Sequence, residues 1–293
     1  MSKFLIVTDS TTDLPVSLIE KHNLLVLSLR YHLEIGGEVK DFTNYADYRE
    51  QDIKEFYSLV KDGAKTSTSQ LNPEDYLKAL KPHLDKGLDI LILSFSSELS
   101  GTYNSARLAK MDLDEMYPDR KIVLVDTKSA SLGEGMLVTL AAKEQAKGKT
   151  IEEVAEFVET TSPKVAHWFT VDDINHLRRG GRISGVASLV ARALSIKPVL
   201  HCSEEGKLVS KAKARHRKNA IKALFDKMVE TALENQEEVF IGHGDDLEAA
   251  ETLKALVLEK YPNVNVLIHT IGPVIGAHTG QGVLALFFLA TNR

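Results

Sequence analysis

Short apolar runs alternate with longer amphipathic segments through the first half of the chain. The runs at residues 4–7, 24–27, 89–93 and 122–125 predict buried β-strands. Between them, residues 47–61 and 100–110 have the character of helices, and Asn72 followed by Pro73 predicts a helix start. Buried strands separated by helices are typical of a parallel sheet that helices cover on both faces.

The pattern changes near residue 162, where Ser162-Pro163 follows a helix predicted over 150–160. Further strands are predicted at 165–169, 199–201, 207–209, 239–242 and 264–268, and a long helix at 216–234. The turn Glu205-Gly206 predicts a hairpin, so the second sheet should be mixed. The apolar end, 283–289, fits a strand or a short buried helix. We therefore predict an α/β protein with two domains: an N-terminal α/β/α domain over 1–162 with a parallel sheet, and a C-terminal α/β domain over 163–293 with a mixed sheet.

Composition narrows the class of protein. The chain has 293 residues, 43% of them hydrophobic, and a net charge of −5, which disfavours general nucleic-acid binding. Its one cysteine, Cys202, cannot form an internal disulfide or a cysteine metal cluster. The apolar run at the start is too short for a signal peptide, and no run is long enough to span a bilayer. These features predict a cytoplasmic protein.

Hydroxyl-rich segments follow several of the predicted strands, at 8–12, 66–70, 94–102 and 126–131. In open parallel sheets, the ligand crevice lies beyond the carboxyl ends of the strands. Hydroxyls and free backbone N–H groups at that edge suit an anion. The alternative is helix capping, for which Ser and Thr are also preferred.

A histidine, His278, lies inside a glycine-rich segment at 272–282. Glycines allow a backbone to approach a ligand closely, and histidine offers a carboxylate either a donor or a positive charge. The alternative is an ordinary structural or solvated histidine.

Several motifs taken together resemble the DegV family, the fatty-acid-binding carrier subunits of bacterial fatty acid kinase. The motifs are VTDSTTDLP at 7–15, TSQLNPEDY at 68–76, SSELSGTYNSA at 96–106, RRGGRIS at 178–184, SIKPVL at 195–200 and GPVIGAHTGQG at 272–282. They follow in order over essentially the whole chain. The sequence departs from the family pattern at Gln281, where proline is commoner, and at Leu71-Asn72, where Pro-Ser is commoner.

The resemblance implies that a long acyl chain binds between the two domains. Its carboxylate would be held by Thr68, Ser100 and His278, which match the family's motif positions. Further contacts through hydroxyl or backbone groups are expected from Ser69, Ser96, Ser97 and Gly101. Two hydroxyls and a histidine would neutralise a buried carboxylate without a full fixed charge, so that it stays reactive towards a phosphoryl donor. For the apolar tunnel, Phe95, Ile275 and the helix at 186–196 are candidates, although all of them also suit a plain core.

The resemblance further implies a carrier that is not an enzyme by itself and uses no cofactor or metal. A partner kinase would phosphorylate the bound acid for phospholipid metabolism. Arg178, Arg179 and Arg182 are candidates for docking to that kinase. A second basic segment, 207–222, holds seven Lys or Arg residues and no acidic one. It is either a solvated face or a surface for an acidic kinase or, transiently, for anionic lipid headgroups.

Other functions fit parts of the sequence. A serine-dependent acyl hydrolase would use Ser100 and His278 with Asp9 or Asp126 as the acid. However, Ser100 lies in Leu-Ser-Gly-Thr, which differs from the Gly-x-Ser-x-Gly elbow of such enzymes. A nucleic-acid-binding regulator would use the segment 207–222, against the acidic net charge. The sequence has no Walker loop, and the residues 243–246 lack a second histidine at metal-ligand spacing.

Overall fold

A computed structural model of the chain describes residues 4–183, 195–291 and 293. The predicted helix at 186–196 lies almost entirely outside the described residues, as does Ser184. The strands are β1 (Phe4–Asp9), β2 (Leu25–Leu27), β3 (Arg30–Ile35), β4 (Glu38–Thr43), β5 (Lys65–Ser69), β6 (Asp89–Ser94), β7 (Ile122–Asp126), β8 (Val165–Thr170), β9 (Ile196–Cys202), β10 (Leu208–Arg215), β11 (Glu238–His243), β12 (Asn265–Thr270) and β13 (Leu284–Leu289). The helices are α1 (Val16–Lys21), α2 (Ile53–Lys61), α3 (Pro73–Leu84), α4 (Thr102–Met116), α5 (Leu132–Ala146), α6 (Ile151–Thr161), α7 (Asn175–Arg179), α8 (Arg217–Thr231), α9 (Leu247–Lys260) and α10 (Pro273–Thr279).

The first half of the chain forms a four-stranded sheet in the order β2-β1-β6-β7, and all of its pairs are parallel. Strand β1 is buried along its whole length, as its continuous apolar run predicts. The predicted helix start at Asn72 is confirmed, because its side chain and that of Asp75 form a capping box. The predicted parallel sheet is therefore confirmed.

A six-stranded sheet in the order β10-β9-β8-β13-β11-β12 follows in the second half. It is mixed, since β11 and β12 pair in parallel while the other neighbours are antiparallel. The hairpin around Glu205-Gly206 joins β9 to β10, as predicted. The apolar end of the chain is a strand, β13, which lies between β8 and β11 and is buried over nearly its whole length.

The sequence analysis did not predict a third sheet, in the order β4-β3-β5, whose pairs are antiparallel. The hydroxyl-rich segment 66–70, which we expected to follow a strand, lies mostly within a strand, β5, so this expectation is wrong. The hydrophobic pattern did not predict this strand, because hydroxyls rather than apolar side chains occupy its inner face, where Thr66 and Thr68 are half-buried.

Helix α5 is buried nearly all round and lies between the parallel and the mixed sheet. Its apolar residues share one core with residues of both sheets. The short helix α10 packs against α2, β3 and β5 instead. These contacts bring the glycine-rich segment beside the hydroxyl-rich strand.

Candidate functional site

A cavity of about 360 Å³ lies at the junction of the three sheets. Much of its wall is apolar and includes Phe95, Leu99, Phe169, Ile275, Ala285 and Phe287. Phe95 and Ile275, which we expected in an apolar tunnel, are therefore both in the wall. Polar side chains from β5 and α10, and from the segments that follow β5 and α7, are also in the wall, so the cavity suits an amphipathic ligand.

Thr68 and His278 meet at this cavity. Thr68 Oγ1 lies 2.8 Å from His278 Nε2, although 210 residues separate them in the chain. Two positions earlier on β5, Thr66 Oγ1 donates a hydrogen bond of 2.7 Å to the carbonyl of Ala277. Strand β5 therefore holds α10 by two side chains of the same face, and this fixes the imidazole against the cavity.

The imidazole of His278 is uncharged at neutral pH. Burial, and then the nearby Arg182, lower the pKa of His278 from 6.5 to about 4. Its Nδ1 has no hydrogen-bond partner in the described part of the chain, and a Cβ built on Gly180 would lie 2.2 Å from that atom. The positive charge that we considered for this histidine is thus absent until a ligand changes its surroundings.

Ser100 also lines the cavity, just before α4. Its Oγ lies 2.9 Å from Thr102 Oγ1 and accepts a hydrogen bond of 3.2 Å from the Thr102 N–H. The structure thus brings Thr68, Ser100 and His278 to one cavity, without a hydrogen bond between Ser100 and the other two in the described residues.

The four further contact residues that we predicted have different positions. Ser69 is in the cavity wall, with its Oγ 2.7 Å from His32 Nε2. Ser96 Oγ donates to the Gly206 carbonyl at 2.9 Å, and Ser97 Oγ accepts from a lysine, so both hydroxyls serve loop contacts. Gly101 leaves room for Gln70, because a Cβ there would lie 2.1 Å from the Gln70 side-chain oxygen.

Gln70 and Arg182 line the cavity although we did not place them there. Arg182 donates through Nε to the Leu99 carbonyl at 3.1 Å and through Nη1 to the Gly180 carbonyl at 2.5 Å. Its neighbours in the RRGG motif, Arg178 and Arg179, are exposed on α7. The sequence contains a signal that separates the half-buried Arg182 from the exposed Arg178 and Arg179, since the two glycines turn the chain between Arg179 and Arg182.

A nucleophilic triad is not assembled around Ser100. Its hydroxyl pairs with Thr102, while His278 pairs with Thr68 and contacts no carboxylate among the described residues. Asp9 is buried against Thr11, and Asp126 accepts from backbone N–H groups. This geometry lacks the base and acid that the hydrolase interpretation needs.

The first hydroxyl-rich segment, 8–12, faces buried acids. Thr11 Oγ1 lies 2.5 Å from an Asp9 oxygen and 2.9 Å from a Glu134 oxygen. Burial raises the pKa of Asp9 and of Glu134, so this pair retains protons well above the usual range. The segment is therefore a poor place for an anion, and the alternative of capping applies to it, since the Asp9 side chain accepts from the Thr11 N–H.

The remaining surface features are simple. Strand β10 is an edge strand and exposes Lys211, Lys213 and Arg215, while Arg217 forms an ion pair of 2.7 Å with Asp246. Within residues 4–183, 195–291 and 293, the structure contains no metal-binding group of three or more His, Cys, Asp or Glu side chains. None of the helices described is both long and apolar enough to cross a membrane.

Comparison with known proteins gives a consistent result. The model of the DegV family, described as "Uncharacterised protein, DegV family", matches residues 3–291. A DegV domain-containing protein of Clostridium perfringens is 43% identical over 296 residues, covering 100% of this chain and 99% of the relative.

Two solved structures share the fold. A Thermotoga maritima protein, described as revealing fatty acid binding function, has a TM-score of 0.85 and 29% identity, covering 99% of this chain and 100% of that one. A DegV family protein of Thermus thermophilus, described by its fatty acid binding, also has a TM-score of 0.85 and 29% identity, covering 98% and 99%. With a family model that spans nearly all of its residues, this chain belongs to the DegV family.

Proposed function

We propose that the protein binds a long-chain fatty acid, with the carboxylate at Thr68, Ser100 and His278 and the tail in the cavity. The observation that carries this proposal is a single cavity in which a threonine and a buried, uncharged histidine lie 2.8 Å apart beside mainly apolar walls. The fatty-acid-binding relatives of the same family support this ligand class.

The tail would supply most of the affinity. Burying about 15 methylenes contributes on the order of 12 kcal/mol at roughly 0.8 kcal/mol per CH₂. The loss of translational and rotational freedom offsets part of this. An acid of this class therefore binds tightly even if its head group contributes little.

The head group needs compensation when it leaves water. An unpaired carboxylate costs several kcal/mol when it is buried, and a nearby negative charge raises the pKa of an imidazole. His278 is therefore expected to take up a proton when the ligand binds, while Thr68 and Ser100 donate hydrogen bonds. Our sequence-based expectation of a site without a fixed charge did not include Arg182, whose guanidinium lines the same cavity.

We further propose that the protein is a carrier that presents this carboxylate to a separate kinase and performs no chemistry alone. The resemblance of the sequence to the carrier subunits of fatty acid kinase supports this role. The exposed Arg178 and Arg179, close in the chain to Arg182, are the proposed docking residues. Loading would take place in the cytoplasm, with transient contact between the protein and a membrane surface.

Binding is tested by native mass spectrometry of the purified protein before and after incubation with palmitate or oleate. One acyl chain per protein is expected. The variants Thr68→Val and Ser100→Ala should each weaken binding about 5–10-fold, since a hydrogen bond to a charged group contributes about 1.5–3 kcal/mol and the others partly compensate. Ser67→Ala removes an exposed hydroxyl from the same strand and should bind as the wild type does. No uptake by the wild-type protein would refute the proposal.

The carrier role is tested separately with [γ-³²P]ATP, loaded protein and a fatty acid kinase. Label should reach the bound acid only when the kinase is present, and Arg178→Glu with Arg179→Glu should reduce transfer without reducing binding. Hydrolysis of an acyl ester by the protein alone, lost in Ser100→Ala, would favour the hydrolase instead.

A further inference from the structure

Three side chains form a row across the mixed sheet at the cavity. The registers of β13 with β8 and of β8 with β9 place Phe287 opposite His167, and Trp168 opposite His201. Continuing the second register by one residue places Cys202 opposite His167. Phe287, His167 and Cys202 all line the cavity, so the row faces it. We call these three residues the end row.

Along β13, the end row lies beyond the cavity-lining residues that come first after α10. From His278 the chain passes through a glycine turn and enters β13, where Ala285 and then Phe287 line the cavity. Ala285 is opposite Phe169, one step of about 7 Å along the strands from the end row. One step further, Val165 faces the same core and is fully buried, but it does not line the cavity. The cavity therefore stops at the end row.

His167 is the most firmly held member of this row. Its Nδ1 donates to the Val165 carbonyl at 2.8 Å, which leaves Nε2 to accept from the Ala130 N–H at 3.4 Å. Its ring meets that of Phe287 edge to face, with centroids 5.3 Å apart. A Cβ at Gly133 would lie 2.1 Å from Nε2, so α5 also confines the ring. Burial keeps the pKa of His167 well below its ordinary value, and the ring is neutral.

We propose that the end row closes the acyl cavity and that the imidazole of His167 sets the longest chain the protein accepts. This inference rests on the proposed function. A ring fixed by two hydrogen bonds and a packed glycine cannot move aside for a longer tail at low cost, because both of its nitrogens would lose their partners. A smaller side chain at this position leaves the ring's space to the ligand instead.

The test compares His167→Ala with the wild type in competition binding of the saturated acids from dodecanoate to docosanoate. The best-bound acid should become longer by about two carbons, and the preference for that longer acid over the wild-type optimum should rise about fifteenfold, because each buried methylene improves affinity roughly fourfold. His201→Ala is the matched control. His201 and His167 are both 3% exposed, but His201 stacks on Trp168 on the opposite face of the sheet.

A second variant works in the opposite direction and does not depend on the stability of the first. Cys202→Met lengthens a side chain of the end row and should shift the optimum to acids shorter by about two carbons. If the wild type binds fatty acids and His167→Ala leaves the chain-length profile unchanged, the inference is overturned but the proposed function is not. If His167→Ala does not fold, an unchanged profile in Cys202→Met has the same consequence. A shift of equal size in His201→Ala would also overturn it. Absence of uptake by the wild type would overturn the proposed function as well.

Discussion

Asp13 provides the sharpest prediction about stability. Its carboxyl is buried, accepts from the Gly272 N–H at 2.9 Å and lies 2.6 Å from Ser131 Oγ, so it connects the start of α10 to the start of α5. Burial raises the pKa of Asp13 from 3.8 to about 7, although both hydrogen bonds oppose this effect. Near neutral pH, the folded protein therefore holds a proton that the unfolded chain has already lost.

The sign of the pH dependence follows from this difference. Below pH 3.8, Asp13 is protonated in both the folded and the unfolded state, and its neutral carboxyl contributes fully to the free energy of unfolding. This contribution is lost as the pH rises towards 7. The difference between a pKa of 3.8 in the unfolded chain and about 7 in the folded protein corresponds to about 4 kcal/mol, and relaxation around the ionised carboxylate reduces this value. We expect about 2–3 kcal/mol of the free energy of unfolding to be lost between pH 4 and pH 8 through this group.

Asp13→Asn should remove that loss. The Ser131 hydroxyl, which donates to Asp13 at 2.6 Å, can turn to accept from the asparagine amide, while the asparagine oxygen accepts from the Gly272 N–H. Its backbone also tolerates the left-handed conformation found here, with φ 51°. The variant should therefore be more stable than the wild type by about 2 kcal/mol at pH 8 and nearly equal to it at pH 4.

Urea unfolding at several pH values, from pH 4 to pH 8, measures this difference. Subtracting the wild-type curve from that of the variant cancels the contribution of the buried histidines, whose lowered pKa values act in the opposite direction. Asp112→Asn, at an exposed position on α4, is the control and should leave the curve unchanged. If Asp13→Asn is less stable than the wild type at pH 8, the ionised carboxylate is the favoured form and the reasoning is wrong.

Two further substitutions test the contacts around the cavity. Gly133→Ala should lower the free energy of unfolding by about 1–3 kcal/mol, because the new Cβ meets the fixed ring of His167, and adding His167→Ala should restore most of this loss in a double-mutant cycle. A loss that persists in the double variant would show another cause. Arg293→Met should cost about 3 kcal/mol in urea unfolding, because its guanidinium donates to four backbone carbonyls and to Ser129 Oγ. Arg178→Met, at an exposed arginine, should leave the unfolding midpoint unchanged.

The fold followed from the sequence wherever periodicity and side-chain chemistry agreed. Continuous apolar runs gave the buried strands of both large sheets, and the Asn72-Pro73 pair gave the start of α3. Periodicity failed at β5, since a strand whose inner face carries threonines has no apolar signal. It also left the segment 283–289 undecided, because a strand buried on both faces and a buried helix are equally apolar.

The candidate site was accessible from the sequence only as a set of motifs. Hydroxyl-rich segments and a glycine-flanked histidine indicated an anion site, and the family resemblance selected Thr68, Ser100 and His278 from many similar residues. By sequence alone, Arg182 was grouped with Arg178 and Arg179. The structure places it in the cavity wall instead, because the chain turns at the intervening glycines.

The sequence by itself determined the order and type of most helices and strands and the family that the chain resembles, since these depend on local patterns. Tertiary structure alone decided that Thr68 and His278 are 2.8 Å apart and that His278 is uncharged. It also decided that His167 lines the cavity while His201 stacks on Trp168, on the other face of the sheet. The physical reason is that contacts between residues far apart along the chain, and the loss of water around a buried group, arise only when the sheets pack together.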